Sequence, residues 1–248
     1  GTIKGIADAV RAGEIDEEQI DRSVGKILYW KARMNLHQNR FVDEGRIRSV
    51  VSIEDHRDFV HQIADLSLTL LINDGFFPSN VSKVGKILHV CIQRNEIDPA
   101  PGQVSAKMRN AFPVETNVIL RPDSTADQYG KVLTAAREVN TVIVSLFNPR
   151  IRYIDNGPLR EKDVALIQNL IKEKPGAVLV MSYGNPYPVE ILKDAAAFVL
   201  GYGEGGFYGN QIVYADSFIK LLRGEIVPKG KLPVTVSENI PLGHGLTY

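Results

Sequence analysis

Three segments carry the residues whose types and spacing could do chemistry. Gly201-Tyr-Gly-Glu-Gly-Gly206 fits the G-x-G-x-x-G spacing, in which glycines let a backbone approach a pyrophosphate at the start of a helix. Val180-Met-Ser-Tyr-Gly184 places Ser182 as in a nucleophile elbow that lacks its first glycine. Asn148-Pro-Arg-Ile-Arg-Tyr-Ile-Asp-Asn-Gly157 sets Arg150 and Arg152 before Asp155, and guanidinium groups so placed suit a carboxylate or a phosphate. None of the three is complete. A dinucleotide site needs a following strand that ends in an acid about 20 positions on, and Glu225, which has that spacing, follows Arg223-Gly224 at a helix end. The backbone amides of the glycine-rich turn, with Glu204 among them, remain able to meet a sugar hydroxyl or an anionic group. A hydrolase triad needs an acid and then a histidine after Ser182, and the one later histidine, His244, lies in the C-terminal tail. His37, His56, His61 and His89 show no His-x-x-x-His spacing and no cysteine cluster accompanies them, so neither a metal site nor a cofactor is expected.

These segments need a scaffold, and the chain is long enough for one. Its 248 residues hold 29 basic and 29 acidic side chains, so there is no general electrostatic pull toward nucleic acid or an anionic membrane. The single cysteine, Cys91, sits in an apolar run, which reads as a buried strand thiol and excludes a disulfide framework within the chain. The longest uninterrupted apolar runs fall far short of the ~20 residues of a membrane-spanning helix. No charged-then-apolar leader follows Gly1, and localisation is left open.

From residue 68 the pattern alternates. Apolar, β-branched runs at 68–72, 86–92, 117–120, 141–147, 177–182 and 196–200 lack polar alternation, as strands covered on both faces do. Helical segments at 104–111, 125–138, 161–174, 187–194 and 208–223 lie between or after them. This predicts an α/β fold, a largely parallel doubly wound sheet flanked by helices, with a surface loop or hairpin over 76–83. Ahead of it, 1–52 reads as a helical arm and 53–248 as the α/β domain. In the arm, Asp16 with Gln19 suggests a capping box. Ile20, Val24, Ile27 and Leu28 form one stripe that must pack on something. Asn148, Arg150, Arg152, Asn185, Tyr187 and Glu204 project from the carboxyl edge of such a sheet, where ligands of open α/β folds bind, and are the candidate binding residues.

The tail, a Gly230-Lys-Leu-Pro-Val234 strand followed by Pro241-Leu-Gly-His-Gly-Leu-Thr-Tyr248, resembles the end of the second, α/β sandwich domain of glycoside hydrolase family 3. Further blocks occur in order. Ala9 to Asp16 with Ile20-Asp-Arg-Ser-Val24 and Ile27-Leu28 is similar to the helix leaving the catalytic barrel of that family, with Lys26 where an arginine is usual. His56 to Ala64 and Ser67 to Asn73 resemble the sandwich domain's first helix and strand, and Gly184-Asn-Pro-Tyr187 is similar to a turn of the β-N-acetylglucosaminidase branch.

The resemblance implies a retaining β-glycosidase acting on terminal β-N-acetylglucosaminides, with a carbohydrate substrate held in a cleft shared with an upstream (β/α)8 barrel. In the glucosidase branch a glutamate from the sandwich domain protonates the leaving oxygen; in the N-acetylglucosaminidase branch a His–Asp pair on a barrel loop does so. Segment 148–157 holds no glutamate, and its lone carboxylate, Asp155, is short and flanked by arginines that favour its ionised form. The expectation is therefore no catalytic residue in this chain, with Asp155 as an alternative acid, and no turnover by the chain alone. A free-standing carbohydrate-binding or scaffolding domain and a glucosidase-type domain that supplies the acid are the alternatives.

Overall fold

The computed structural model describes residues 1–78, 81–94, 99–147, 159–203 and 212–248, with the backbone only at Val81, Ser82 and Ile212. The chain divides into two compact units, Gly1–Ile53 and Glu54–Tyr248.

The first unit is helical. It contains α1 (Thr2–Arg11), α2 (Glu17–Arg33), a 3-10 turn over Glu44–Arg46 and the short α3 (Ile47–Val50). Asp16 caps α2, but it accepts from the Glu18 N–H at 3.0 Å, a simple cap in place of the expected box with Gln19. No residue of α2 is buried. Val24, Ile27 and Leu28 are 45, 55 and 57 % exposed, so the unit does not bury its own stripe.

The second unit is a six-stranded sheet between two helical layers. The helix α4 (Glu54–Ser67) leads into β1 (Thr69–Asn73), and α5 (Val81–Val84) precedes β2 (Ile87–Gln93). Then follow α6 (Ala100–Ala111), β3 (Val114–Leu120), α7 (Ala126–Ala136), β4 (Thr141–Phe147), α8 (Glu161–Glu173), β5 (Val178–Ser182), a 3-10 helix over Tyr187–Leu192, β6 (Ala197–Leu200) and α9 (Ile212–Arg223). The order across the sheet is β1-β6-β5-β4-β2-β3, with β1 antiparallel to β6 and every other pair parallel. Side chains of α6 and α9 fill one face, around Val104, Met108 and Phe218. Those of α7 and α8 fill the other, around Val132, Leu166 and Leu170. Covered on both sides, β2, β4 and β5 are buried at every position, which is why their sequences show continuous apolar runs.

Helix ends follow local rules. Thr125 and Gln128 form a reciprocal capping box at the start of α7. Segment 187–194 becomes a 3-10 helix rather than an α-helix, with Pro186 as its N-cap and Pro188 near its start, neither of which has an N–H to donate.

Two expectations are corrected. Segment 76–83 is not a hairpin, because β1 and β2 are not neighbours, and among its described residues Phe76 and Phe77 are buried while Pro78 and Lys83 are exposed. Lys83 Nζ ties this connection together by donating to the carbonyls of Gly75 and Phe76 at 2.9 and 2.5 Å. The Gly230 to Val234 run is not a strand. Pro233 cannot donate to a ladder, and Leu232 instead exchanges backbone bonds with Gly243 and His244 inside the tail. The tail covers the free edge of β1, with the Gly230 N–H donating to Leu68 O at 2.9 Å and the Leu246 N–H to Leu70 O at 2.8 Å. A Cβ at Gly230 would collide with Ser67 O and Thr69 Oγ1, and one at Gly245 with Gly230 O, so both tail glycines are required by close backbone approach.

Candidate functional site

After β2 the chain crosses to β3 on one side, and after β3 it returns to place β4 on the other, from where β5 and β6 continue outward. The β2/β4 boundary is thus the point where strand order reverses. In open α/β sheets the helices diverge there and leave a crevice at the strands' carboxyl ends. Gln93 and Phe147, the last residues of β2 and β4, are register partners at that boundary.

A small cavity of ≈ 40 Å³ lies there, lined by Ile92, Gln93, Arg94, Phe147, Leu159, Arg160 and Asp163. The α8 start builds its polar wall. Asp163, in the first turn, is buried to 2 % side-chain exposure, and its carboxylate accepts from Arg160 Nε at 2.5 Å and from the Tyr129 hydroxyl of α7 at 2.6 Å. Burial and the adjacent Asp163 raise the Tyr129 phenol well above the usual tyrosine range, so this donor stays protonated. With Nε engaged, Nη1 and Nη2 of Arg160 are shielded from solvent and have no hydrogen-bond partner among the described residues.

Behind this edge the core holds a second polar group. His89 of β2 lies between Asn117 of β3, Nδ1 to Oδ1 2.7 Å, and Ser145 of β4, Nε2 to Oγ 2.8 Å. With the Asn117 carbonyl oxygen facing Nδ1, the ring carries its proton there and accepts the Ser145 hydroxyl at Nε2. Burial lowers its pKa to about 4, against the opposing pull of the Asn117 bond. Cys91, two residues on, is buried beside Ser105, and burial pushes its thiol up to about 12, which leaves it inert as a nucleophile. The neighbouring Tyr183 stacks on Phe147 at 4.8 Å between ring centres. His89 and Cys91 are internally satisfied structural elements, as expected for a core histidine and a buried strand thiol, whereas the buried Tyr183 hydroxyl has no hydrogen-bond partner among the described residues.

Of the candidate binding residues, Asn185 and Tyr187 sit together in the turn after β5. The Asn185 side-chain carbonyl accepts the Tyr187 N–H at 3.2 Å, its main-chain carbonyl accepts the Ser182 hydroxyl at 3.1 Å, and Tyr187 is 59 % exposed. That hydroxyl bond engages Ser182, while His244 Nε2 is bonded to Leu71 O at 3.0 Å, so the two do not form a catalytic pair. Asn148, Arg150, Arg152, Asp155 and Glu204 lie outside the described residues. Among the described residues no cluster of acids, histidines and cysteine has the arrangement of a metal site, and no helix is long and apolar enough to cross a membrane. Sequence reasoning missed Arg160, Asp163 and Tyr129. The Arg-x-x-Asp spacing at a helix start reads as ordinary capping, and only the topology brings it to the β2/β4 boundary.

No family model matches the chain. Among curated proteins it is 24 % identical to a lysosomal beta glucosidase of Dictyostelium discoideum, over 93 % of this chain and 32 % of that protein. Among solved structures it matches a glycoside hydrolase family 3 β-N-acetylglucosaminidase from Paenibacillus sp. str. FPU-7, with a TM-score of 0.66 and 23 % identity over 93 % of this chain and 42 % of that one. Its fold is that of a glycoside hydrolase family 3 C-terminal domain. A β-glucosidase from Listeria innocua, in complex with glucose, matches this chain equally well, with a TM-score of 0.66 at 18 % identity over 98 % of this chain and 40 % of that one. The chain therefore spans about a third of the curated relative and two-fifths of these two solved structures. The six-stranded, mostly parallel sheet and its flanking helices are the architecture shared with them.

Proposed function

We propose that this chain is the C-terminal domain of a retaining β-glycosidase that hydrolyses terminal β-N-acetylglucosaminides. Residues 53–248 support a catalytic (β/α)8 barrel and shape one side of its substrate cleft, and residues 1–52 connect the two. The observation that carries this reading is the family 3 fold together with a segment after β4, 148–157, that contains no glutamate. A glucosidase-type acid from this domain would need one there, and Asp155 is one methylene shorter. The Gly184-Asn-Pro-Tyr187 turn favours the same branch, and it presents exposed Tyr187 at the carboxyl edge, where an aromatic face can stack on a sugar ring. Retaining hydrolysis requires two groups flanking the anomeric carbon, about 5 Å apart when both are carboxyls. On this reading both are supplied by the barrel, and the chain alone does not turn over substrate.

The test is an immunocapture of the native protein with antibody raised against this chain, followed by assay on paired chromogenic N-acetyl-β-glucosaminide and β-glucoside. Preference for the N-acetylated sugar supports the reading. Preference for the glucoside assigns the domain to the acid-supplying group. Hydrolysis by the purified 248-residue chain itself would remove the claim that its chemistry lies elsewhere.

A further inference from the structure

The helix α4 carries its amphipathic pattern in reverse. In a globular domain the apolar stripe of a surface helix faces the core and its polar side faces water. The side of α4 that packs on α9 is instead small and polar: Ala64 is buried, and the Asp65 carboxylate accepts from the Ser217 hydroxyl at 2.6 Å and from Lys220 Nζ at 2.7 Å. The large apolar side chains lie on the outer side. Phe59, Val60, Ile63 and Leu66 follow i, i+1, i+4, i+7, which sets them in one stripe opposite Ala64 and Asp65, and they are 62, 46, 46 and 57 % exposed. Four bulky side chains exposed side by side form a patch, unlike the scattered single hydrophobics that any protein surface carries.

We propose that this outer face of α4 is an interdomain surface, covered by an apolar surface of the catalytic domain in the same polypeptide. The proposal rests on the reading of the chain as one part of a longer glycosidase, and it names where that part bears on the rest. Two observations select this occupant. The chain covers 32 % of the curated relative and 42 and 40 % of the two solved structures, so each of them carries more than half of its length outside the matched region. The size of the stripe, in turn, argues against a second copy. From Phe59 to Leu66 it is about 10 Å long and on the order of 200–300 Å² in area, well below the roughly 800 Å² per partner that separate chains bury in a stable complex. Domains of one chain associate through as little as about 600 Å² in total, because covalent linkage holds them together at an effective concentration of about millimolar.

The experiment is carbene photolabelling of the native polypeptide, purified with antibody raised against this chain and eluted from it, beside the purified 248-residue chain. Insertion at Phe59, Val60, Ile63 and Leu66 is read by mass spectrometry and normalised to the same protein denatured. The proposal expects insertion in the native polypeptide at least about fivefold below that in the chain, because the core of an interface packs like a protein interior. It also expects insertion in the chain to stay constant when the chain is diluted about a hundredfold. Equal insertion in the chain and in a longer native polypeptide overturns the assignment and leaves the glycosidase reading standing. Insertion in the chain that rises on dilution assigns the face to a second copy and overturns the assignment as well. A native polypeptide of 27.5 kDa, the mass of the chain itself, removes the glycosidase reading and this proposal with it.

Discussion

Acidification should weaken the α/β unit through His89, and by an amount the structure sets. The ring is buried, neutral and bonded at both nitrogens, to Asn117 and Ser145, and its pKa stands at about 4 against 6.5 for a free histidine. The folded state therefore binds this proton less readily than the unfolded chain. Stability is fully present above pH 6.5, falls as pH decreases through the interval from 6.5 to 4, and levels out below it. The whole interval is worth about 3 kcal/mol, of which about 2 kcal/mol falls between pH 7 and pH 5. His89→Gln removes the titration while keeping an amide that can serve the same neighbours. Carboxylates also titrate in this range, so the informative quantity is the pH 7 minus pH 5 difference in unfolding free energy, wild type minus variant. Urea unfolding followed by thiol labelling of Cys91 reports this unit specifically, because the single cysteine is buried in β2 beside His89. A double difference near 2 kcal/mol is expected. If the variant keeps the wild-type pH dependence to within about 0.5 kcal/mol, His89 is not the group that titrates and the reasoning from its burial fails.

Two substitutions probe the scaffold. Asp163→Asn leaves Arg160 without its counter-charge and weakens the acceptor for Tyr129; a loss of about 2–4 kcal/mol is expected by urea denaturation, below the full value for a buried pair because Arg160 retains 26 % exposure. Gly230→Ala drives a methyl group into the Ser67 and Leu68 carbonyls and should cost about 1–3 kcal/mol, with faster amide exchange at Leu246, whose N–H covers the β1 edge.

The parallel core was legible because burial on both faces imposes continuous apolar runs. The segments 141–147 and 86–92 announce β4 and β2 almost to the residue, and Thr125 with Gln128 marks the start of α7 through a local reciprocal bond. What was not legible depends on partners distant in sequence. The buried Phe76 and Phe77, with the Lys83 bonds to the Gly75 and Phe76 carbonyls, anchor an apparent loop to the core. The Gly230 to Val234 run reads as a strand through its family resemblance, yet the tail's donors go to its own backbone and to the β1 edge. The cavity is the clearest case, because Gln93, Phe147 and Arg160 meet only after the chain has reversed its winding between β3 and β4. Nothing in the 160–163 spacing reveals that one edge of the guanidinium will be buried without a hydrogen-bond partner among the described residues.

The central claim, that this chain is one part of a larger glycosidase, is tested most directly by the size of the native polypeptide in its source cells. The measurement is an immunoblot with antibody against this chain, whose own mass is 27.5 kDa. A band of more than twice that mass is predicted, leaving room for an upstream barrel of ~250 residues. A mature band at the mass of the chain itself would contradict the account and make carbohydrate binding without hydrolysis the function to pursue.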